Sequence, residues 1–332
     1  MSIQSLTFTF AEKKHLATTT KDITLAKTTL DRGELVAIPT ETVYGLAAKG
    51  TSIDALTKIF KAKGRPINNP LILHFGDEEA IFPFVEDFNA EARELSKSFW
   101  PGPLTLLLPK SKEVPDIVTA GSKRVAVRIP HHDVTLKLLH SLDYPLAAPS
   151  ANPSGYISPT RPEHVERQLG TKIPLILDGG PCKSGIESTI LGWENGYPVI
   201  YRKGVITSDM IASVLGKTPQ INQKTKILEA PGMLSSHYAP KTKTLVVDNI
   251  ESAVMLHKNS KVGLIVFTHK TNFPVQKEIV LSPKASLEEM AQNLYAAMHL
   301  LDSMNLDVII IEKAPNEGVG KAINDRLQRS AY

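Results

Sequence analysis

At 332 residues, 42% of them apolar and 22% charged, the chain is too long for one typical domain and too apolar to be chiefly disordered, so two packed units are expected. A formal charge of +4 favours anionic ligands such as nucleotides but is far below that of a dedicated nucleic-acid binder. The lone cysteine, Cys182, excludes an intrachain disulfide and a thiolate zinc cluster; with no secretory apolar region in residues 1–14 and no run near the ~20 apolar residues of a membrane span, a cytoplasmic protein is expected.

Between residues 33 and 204 short apolar runs alternate with amphipathic segments. The run Leu35-Val36-Ala37-Ile38 has the length and branching of a buried strand, and it delivers Pro39-Thr40-Glu41-Thr42 at its end. A helix over 53–62 follows, with Ser52 as N-cap, Asp54 in the first turn, and Ile53, Leu56, Ile59 and Phe60 on one face. Strands are expected at 71–75, 104–108, 125–129, 146–149, 174–177, 188–191 and 198–201, separated by helices near 89–99, 133–142, 162–169 and 208–215. Thr160-x-x-Glu163 has the form of a capping box for the third of these helices. Over 217–242 Lys, Gln, Thr and Pro replace the apolar rhythm, ending in Pro231-Gly232 and His237-Tyr238-Ala239-Pro240, as in an interdomain linker. From 243 onward, strands at 244–247, 262–267, 278–281 and 308–311 alternate with helices, the longest spanning 286–304 with a capping box at Ser286-x-x-Glu289. The expected division is a first unit over 1–216, a linker over 217–242 and a smaller parallel α/β unit over 243–332.

Neither G-x-x-x-x-G-K-[ST] nor a G-x-G-x-x-G after a strand occurs, so a nucleotide must be held some other way. Gly318-Val319-Gly320-Lys321 lacks the upstream glycine and reads as the opening of the last helix. The loop from Lys61 to Pro70 sets Lys61, Lys63 and Arg65 around Gly64 and Pro66, which either presents a cationic cluster or complements the negative end of the preceding helix. In the strand around Arg124-Val125-Ala126-Val127-Arg128 the period of two puts Arg128 opposite the apolar face, where a guanidinium fork suits a carboxylate or phosphate, or a structural ion pair. Ser150-Ala151-Asn152 leaves one strand and Glu187-Ser188-Thr189 enters another, which places hydroxyls at strand ends where open α/β sheets bind ligands, although serine-rich loops are also ordinary turn formers. No acyl-enzyme chemistry is expected, because neither serine lies in G-x-S-x-G. His131-His132-Asp133 has the residue types of a metal site, yet adjacent residues point different ways, so no metal is expected there.

Taken together, Pro39-Thr40-Glu41-Thr42-Val43-Tyr44-Gly45-Leu46, Lys63-Gly64-Arg65-Pro66 with Asn69-Pro70-Leu71 and His74, and Ser150-Ala151-Asn152 resemble the YrdC/Sua5 family. The C-terminal stretch Gly320-Lys321-Ala322-Ile323-Asn324-Asp325-Arg326-Leu327 is similar to the Sua5 branch. The resemblance implies a YrdC-like twisted mixed sheet with helices, followed by a smaller Rossmann-like α/β domain. It implies synthesis of L-threonylcarbamoyl-AMP and pyrophosphate from L-threonine, bicarbonate and ATP, the adenylate then passing through a transferase partner to tRNAs reading codons that begin with A. By the same resemblance Lys63 and Arg65 are catalytic, and L-threonine is held by Thr42, His74, Arg128, Ala148 and Ser188. ATP then falls to Arg65, Asn69, Ser150, Asn152, Ser158, Arg202 and Tyr238, with Mg²⁺ bridging phosphates rather than bound in a protein cage, and His237-Tyr238 acting as a lid.

The principal rival is a non-catalytic double-stranded RNA-binding module, and weak RNA binding by the basic chain stays open beside the enzymatic reading. Aromatic content of 6% and motifs gathered around small polar residues weigh against a stacking platform. A carbamoyltransferase of the hydrogenase-maturation type would carry a zinc finger, which one cysteine cannot build.

Overall fold

The computed structural model describes residues 16–222 and 238–331. The first unit begins with β1 (Thr18–Thr20), α1 (Ile23–Asp31), β2 (Val36–Ile38), β3 (Gly45–Lys49), α2 (Ile53–Lys63) and β4 (Ile72–His74). It continues through α3 (Ala90–Phe99), β5 (Leu104–Pro109), α4 (Asp116–Thr119), β6 (Arg124–Arg128), α5 (Asp133–His140), β7 (Leu146–Ala147), α6 (Pro162–Leu169) and β8 (Leu175–Leu177). The hairpin of β9 (Thr189–Glu194) and β10 (Tyr197–Arg202), then α7 (Ser208–Leu215) and β11 (Gln220–Ile221), complete it. Eleven strands join in one mixed sheet, ordered β1-β8-β2-β3-β7-β4-β6-β5-β9-β10-β11. β11 pairs in parallel with β10, so the start of the expected linker extends this sheet.

The second unit holds β12 (Thr244–Val247), α8 (Ile250–Leu256), β13 (Val262–Val266), β14 (Lys277–Val280), α9 (Leu287–Asp302), β15 (Val308–Glu312) and α10 (Gly320–Ser330). Its four strands are all parallel, in the order β12-β15-β13-β14. This is the small parallel sheet that the alternating strand and helix pattern predicts. α8 covers one face through Ala253 and Val254. On the other, Met290, Leu294, Met298 and Leu301 of α9 share a continuous core with Val43, Ile157, Ile186 and Tyr238. The two units are thus welded by apolar packing.

Local chemistry explains most boundaries. Ser52 accepts from the Ala55 N–H at 3.3 Å, and Gly64 ends α2 in the left-handed conformation at φ 61°. Ser286 caps α9 through the Glu289 N–H at 3.2 Å, while the Glu289 carboxylate accepts from Ser282 instead of closing the box. The expected capping box at Thr160 does not form: α6 starts at Pro162, with Arg161 in the cap position and no side-chain cap. Proline at the first helical position fixes φ and lacks the N–H that a cap would satisfy, so the start shifts to it.

Candidate active site

The centre of the large sheet delivers the site. β7, β4 and β6 lie side by side; His74 and Arg128 end two parallel strands in register, and antiparallel β7 sets Leu146 opposite His74 and Ala147 opposite Leu73. The turn after β2 is shaped by its own hydroxyl: Thr40 Oγ1 donates to the Val43 carbonyl at 2.6 Å and accepts the Thr42 and Val43 N–H groups at 3.2 Å. That turn presents Thr42 to Arg128, whose Nη1 donates to Thr42 Oγ1 at 3.0 Å. On its other side Arg128 Nη2 stands 2.5 Å from Glu41 Oε2, both side chains buried. Glu41 thereby fixes the guanidinium from behind, while Arg128 Nε has no hydrogen-bond partner among the described residues. A buried donor in that state is suited to an incoming carboxylate.

His74 lies beside this pair with Nδ1 3.2 Å from the Ile72 carbonyl. Burial, and then the positive Arg128, push its pKa down to about 3, so its imidazole is neutral near pH 7 and serves as a polar contact rather than a proton carrier. Ser188, just before β9, bonds Thr105 Oγ1 at 2.7 Å, and Arg202 donates to both its carbonyl and its hydroxyl at 3.0 Å.

The cationic loop after α2 separates into two roles. Arg65 Nη2 donates to Asn69 Oδ1 at 2.6 Å and to the Pro70 carbonyl at 2.8 Å, so Asn69 orients it towards the pocket. Burial lowers the Arg65 pKa to about 10, which leaves it charged near pH 7. Lys63 instead turns its ammonium onto the main-chain carbonyls of Ser150 and Asn152. Its side chain is absent from the pocket wall and acts as the internal brace of the 150–154 loop. Asn152 faces the same way, donating to the Pro153 and Tyr156 carbonyls at 2.9 and 2.7 Å.

One cavity is lined by Thr42, His74, Arg128, Ala148 and Ser188 together with Arg65, Ser150, Arg202 and Tyr238. The expected threonine and nucleotide residues therefore share a wall, with Lys63, Asn69, Asn152 and Ser158 standing behind it. Thr40, Val43, Gly45 and Glu187 line it too, and sequence reasoning did not single them out for the site. Arg124 points elsewhere, donating to Tyr201 Oη at 2.8 Å and to the Trp193 carbonyl at 3.2 Å. Among the described residues no group of three or more His, Cys, Asp or Glu is placed to hold a metal ion, and no helix is long and apolar enough to cross a membrane. His237, expected to share the lid with Tyr238, and Pro231-Gly232 lie outside the described residues.

A family profile for Sua5, YciO and YrdC proteins, described as telomere recombination, matches residues 28–204, and a threonylcarbamoyl-AMP synthase C-terminal domain profile matches residues 206–332. A threonylcarbamoyl-AMP synthase of Pyrococcus abyssi is 39% identical over 93% of this chain and 94% of its own length. One of Bacillus subtilis is 38% identical over 95% and 94%. The crystal structure of P. abyssi Sua5 complexed with L-threonine superposes with a TM-score of 0.87 at 37% identity, covering 93% of this chain and 94% of the other.

Proposed function

The chain belongs to the YrdC/Sua5 family, and from that premise we infer that it is a threonylcarbamoyl-AMP synthase whose cavity joins L-threonine, bicarbonate and ATP. The observation that carries this is the shared wall: an arginine with a free buried donor stands across the same space from Arg65, Arg202 and Ser150. Arg128, Thr42, His74, Ala148 and Ser188 receive the amino acid, with the Arg128 fork on its carboxylate. Arg65, Ser150 and Arg202 meet the phosphates directly, while Asn69 orients Arg65, Lys63 and Asn152 brace the loop that carries Ser150, and Ser158 donates to Glu187 of the wall.

The chemistry needs position and charge rather than a covalent intermediate. Threonine's neutral amine condenses with bicarbonate, losing water, to give a carbamate, whose oxygen attacks the α-phosphorus of ATP; the bond to the bridging oxygen breaks and pyrophosphate leaves with the electron pair. Two anions must be brought together, so fixed cations at the wall supply most of the stabilisation. Mg²⁺ would supply counter-charge to the nucleotide's phosphates, and Glu41 and Glu187, each already paired with an arginine, would not be its ligands. A carbamate loses CO₂ readily, so water must be kept out, and Tyr238, only 1% exposed, closes the cavity. The adenylate passes to a transferase that modifies tRNA, in the cytoplasm.

Burial argues against the RNA-binding reading. Lys63, Arg65, Arg128 and Arg202 are each at most 7% exposed and turn inward, out of reach of a nucleic-acid backbone. The deciding experiment is pyrophosphate release from ATP: it should require threonine and bicarbonate together, with the adenylate detected by mass spectrometry. Release that ignores threonine would sink the reading. Tyr238→Ala should raise the KM for ATP and cut turnover; unchanged values would remove the lid.

A further inference from the structure

We propose that Arg326, on the last helix of the C-terminal unit, is a positioning residue of the active site, neutralising Glu187 in the cavity wall so that a polyphosphate can bind beside it. This rests on the synthase reading and extends it to a domain that the motifs leave without a chemical role.

Glu187 is an awkward wall residue for a site that receives a polyanion. It lines the cavity, is 6% exposed, and its carboxylate accepts from Ser158 at 2.6 Å. Arg326 crosses from the other unit to meet it: Nε donates to Glu187 Oε2 at 2.7 Å, Nη2 to the Lys203 carbonyl at 2.8 Å and Nη1 to Asp325 at 2.8 Å. Asp325 also has Arg329 as a partner, whereas the ion pair of Glu187 is with Arg326. A fully buried arginine so committed contributes its charge at a fixed point. Its guanidinium carbon also sits 5.3 Å from the Tyr238 ring centre, and that ring stacks on Tyr295 of α9 at 5.8 Å. Tyr295 Oη in turn reaches Glu187 Oε2 at 3.2 Å. One arginine therefore touches the acid of the wall and the ring that closes it, and through Glu187 it also sets Ser158.

The electrostatic sign makes the role separable from mere packing. With Arg326 gone, Glu187 keeps Arg202 as its nearby cation, and its negative charge opposes the triphosphate; with Glu187 neutral, Arg326 adds an attraction. The test measures the KM for ATP by pyrophosphate release, the Kd for L-threonine by calorimetry without nucleotide, and the melting temperature. Arg326→Met should raise the ATP KM about tenfold or more while the threonine Kd stays within about threefold, a cost of one opposing unit charge in a partly desolvated site. Glu187→Gln in the same chain as Arg326→Met should recover most of that loss, and Glu187→Gln alone should lower the ATP KM. A double variant no better than Arg326→Met, or equal loss of threonine and ATP binding, would assign Arg326 to plain structural support. Should Arg326→Met fail to fold, Glu187→Gln alone decides, since a raised ATP KM overturns the proposal. A wild-type protein that binds no threonine and releases no pyrophosphate would refute the synthase reading instead, and leaves a different signature from any of these.

Discussion

Replacing Lys63 by methionine separates a brace from a direct phosphate contact. Lys63 is 3% exposed, and its ammonium serves two main-chain carbonyls, those of Ser150 and Asn152, while its own carbonyl accepts the Ser154 N–H at 2.8 Å. Methionine fills a similar volume and keeps the last of these bonds. It leaves two buried carbonyls without their donor, at about 1–3 kcal/mol each, offset by no longer burying a charge that burial and Arg65 already disfavour. A net loss of about 2–4 kcal/mol follows, or roughly 5–15 °C in melting temperature for units of this size. Freed from its brace, the 150–154 loop lets Ser150 drift, so the KM for ATP should rise at least about tenfold, a distance-sensitive positioning loss. Threonine affinity should change far less, because Thr42, His74 and Arg128 stand on other elements. Scanning calorimetry and threonine titration read the two effects. A variant with an unchanged melting temperature but abolished turnover would refute the brace and return Lys63 to the phosphates.

Glu41→Gln keeps the shape behind Arg128 but removes its counter-charge, so threonine should bind about tenfold more weakly by calorimetry, and Arg128→Lys, which loses the fork, should do at least as badly. Acid should weaken the fold through its buried histidines. Burial depresses the folded pKa of His164 to about 3 and of His299 to about 4, with His74 also about 3, all from 6.5. The unfolded chain therefore takes up protons first, stability is full above pH 6.5, and it falls by up to about 1.4 kcal/mol per pH unit per histidine as pH drops towards 4. The urea midpoint should fall steadily from pH 6.5 to 4.5; a flat midpoint would show that these rings are protonated in the fold. At the joint between units, Gly185 sits at φ +74° where a Cβ would lie 2.3 Å from the Ala291 carbonyl of α9. Gly185→Ala should cost about 2–4 kcal/mol through backbone strain and displacement of α9, read as a lower melting temperature and faster proteolysis between the units.

The parts of this fold legible in the sequence are those whose reasons are local. Val36–Ile38, Leu104–Pro109 and Val262–Val266 announce themselves by branched apolar runs, and α2 by its cap, stripe and terminal glycine. The strand Gly45–Lys49 does not, since Gly-Leu-Ala-Ala-Lys has little strand preference of its own. It is a strand because β2 and β7 pair with it on both sides, and smallness is what that place demands: a Cβ on Gly45 would lie 3.1 Å from the Ala148 Cβ. Helix α1, rich in threonine, is fixed by the Asp22 cap and by Ala26 and Leu30 in the core, signals too short to stand out. Thr42, Arg65, His74 and Ser150 of the cavity wall lie in legible motifs, but the wiring of the wall was not legible. Glu187 and Arg326 are 139 positions apart, and no periodicity connects them.

The cavity as it stands leaves about 40 Å³ of free space, enough for a few waters at the ~10–15 Å³ each needs but not for a nucleotide beside an amino acid. The sheet offers no more room by moving, since β3, β7, β4 and β6 are interior strands paired on both edges. Besides the first unit's own loops, Tyr238 forms part of the wall. Tyr238 adopts a left-handed φ of 67°, and the chain next to it is tied to the first unit by the Ala239 N–H to the Gly155 carbonyl at 2.9 Å and by the bridge from Ala239 to Tyr156. Breaking those contacts and unstacking Tyr238 from Tyr295 would leave Thr42, Glu41 and Arg128 bonded to one another. On the synthase reading proposed above, that order would place threonine in a rigid half and ATP under a movable one, and closing over the nucleotide would both complete the wall and exclude the water that destroys a carbamate.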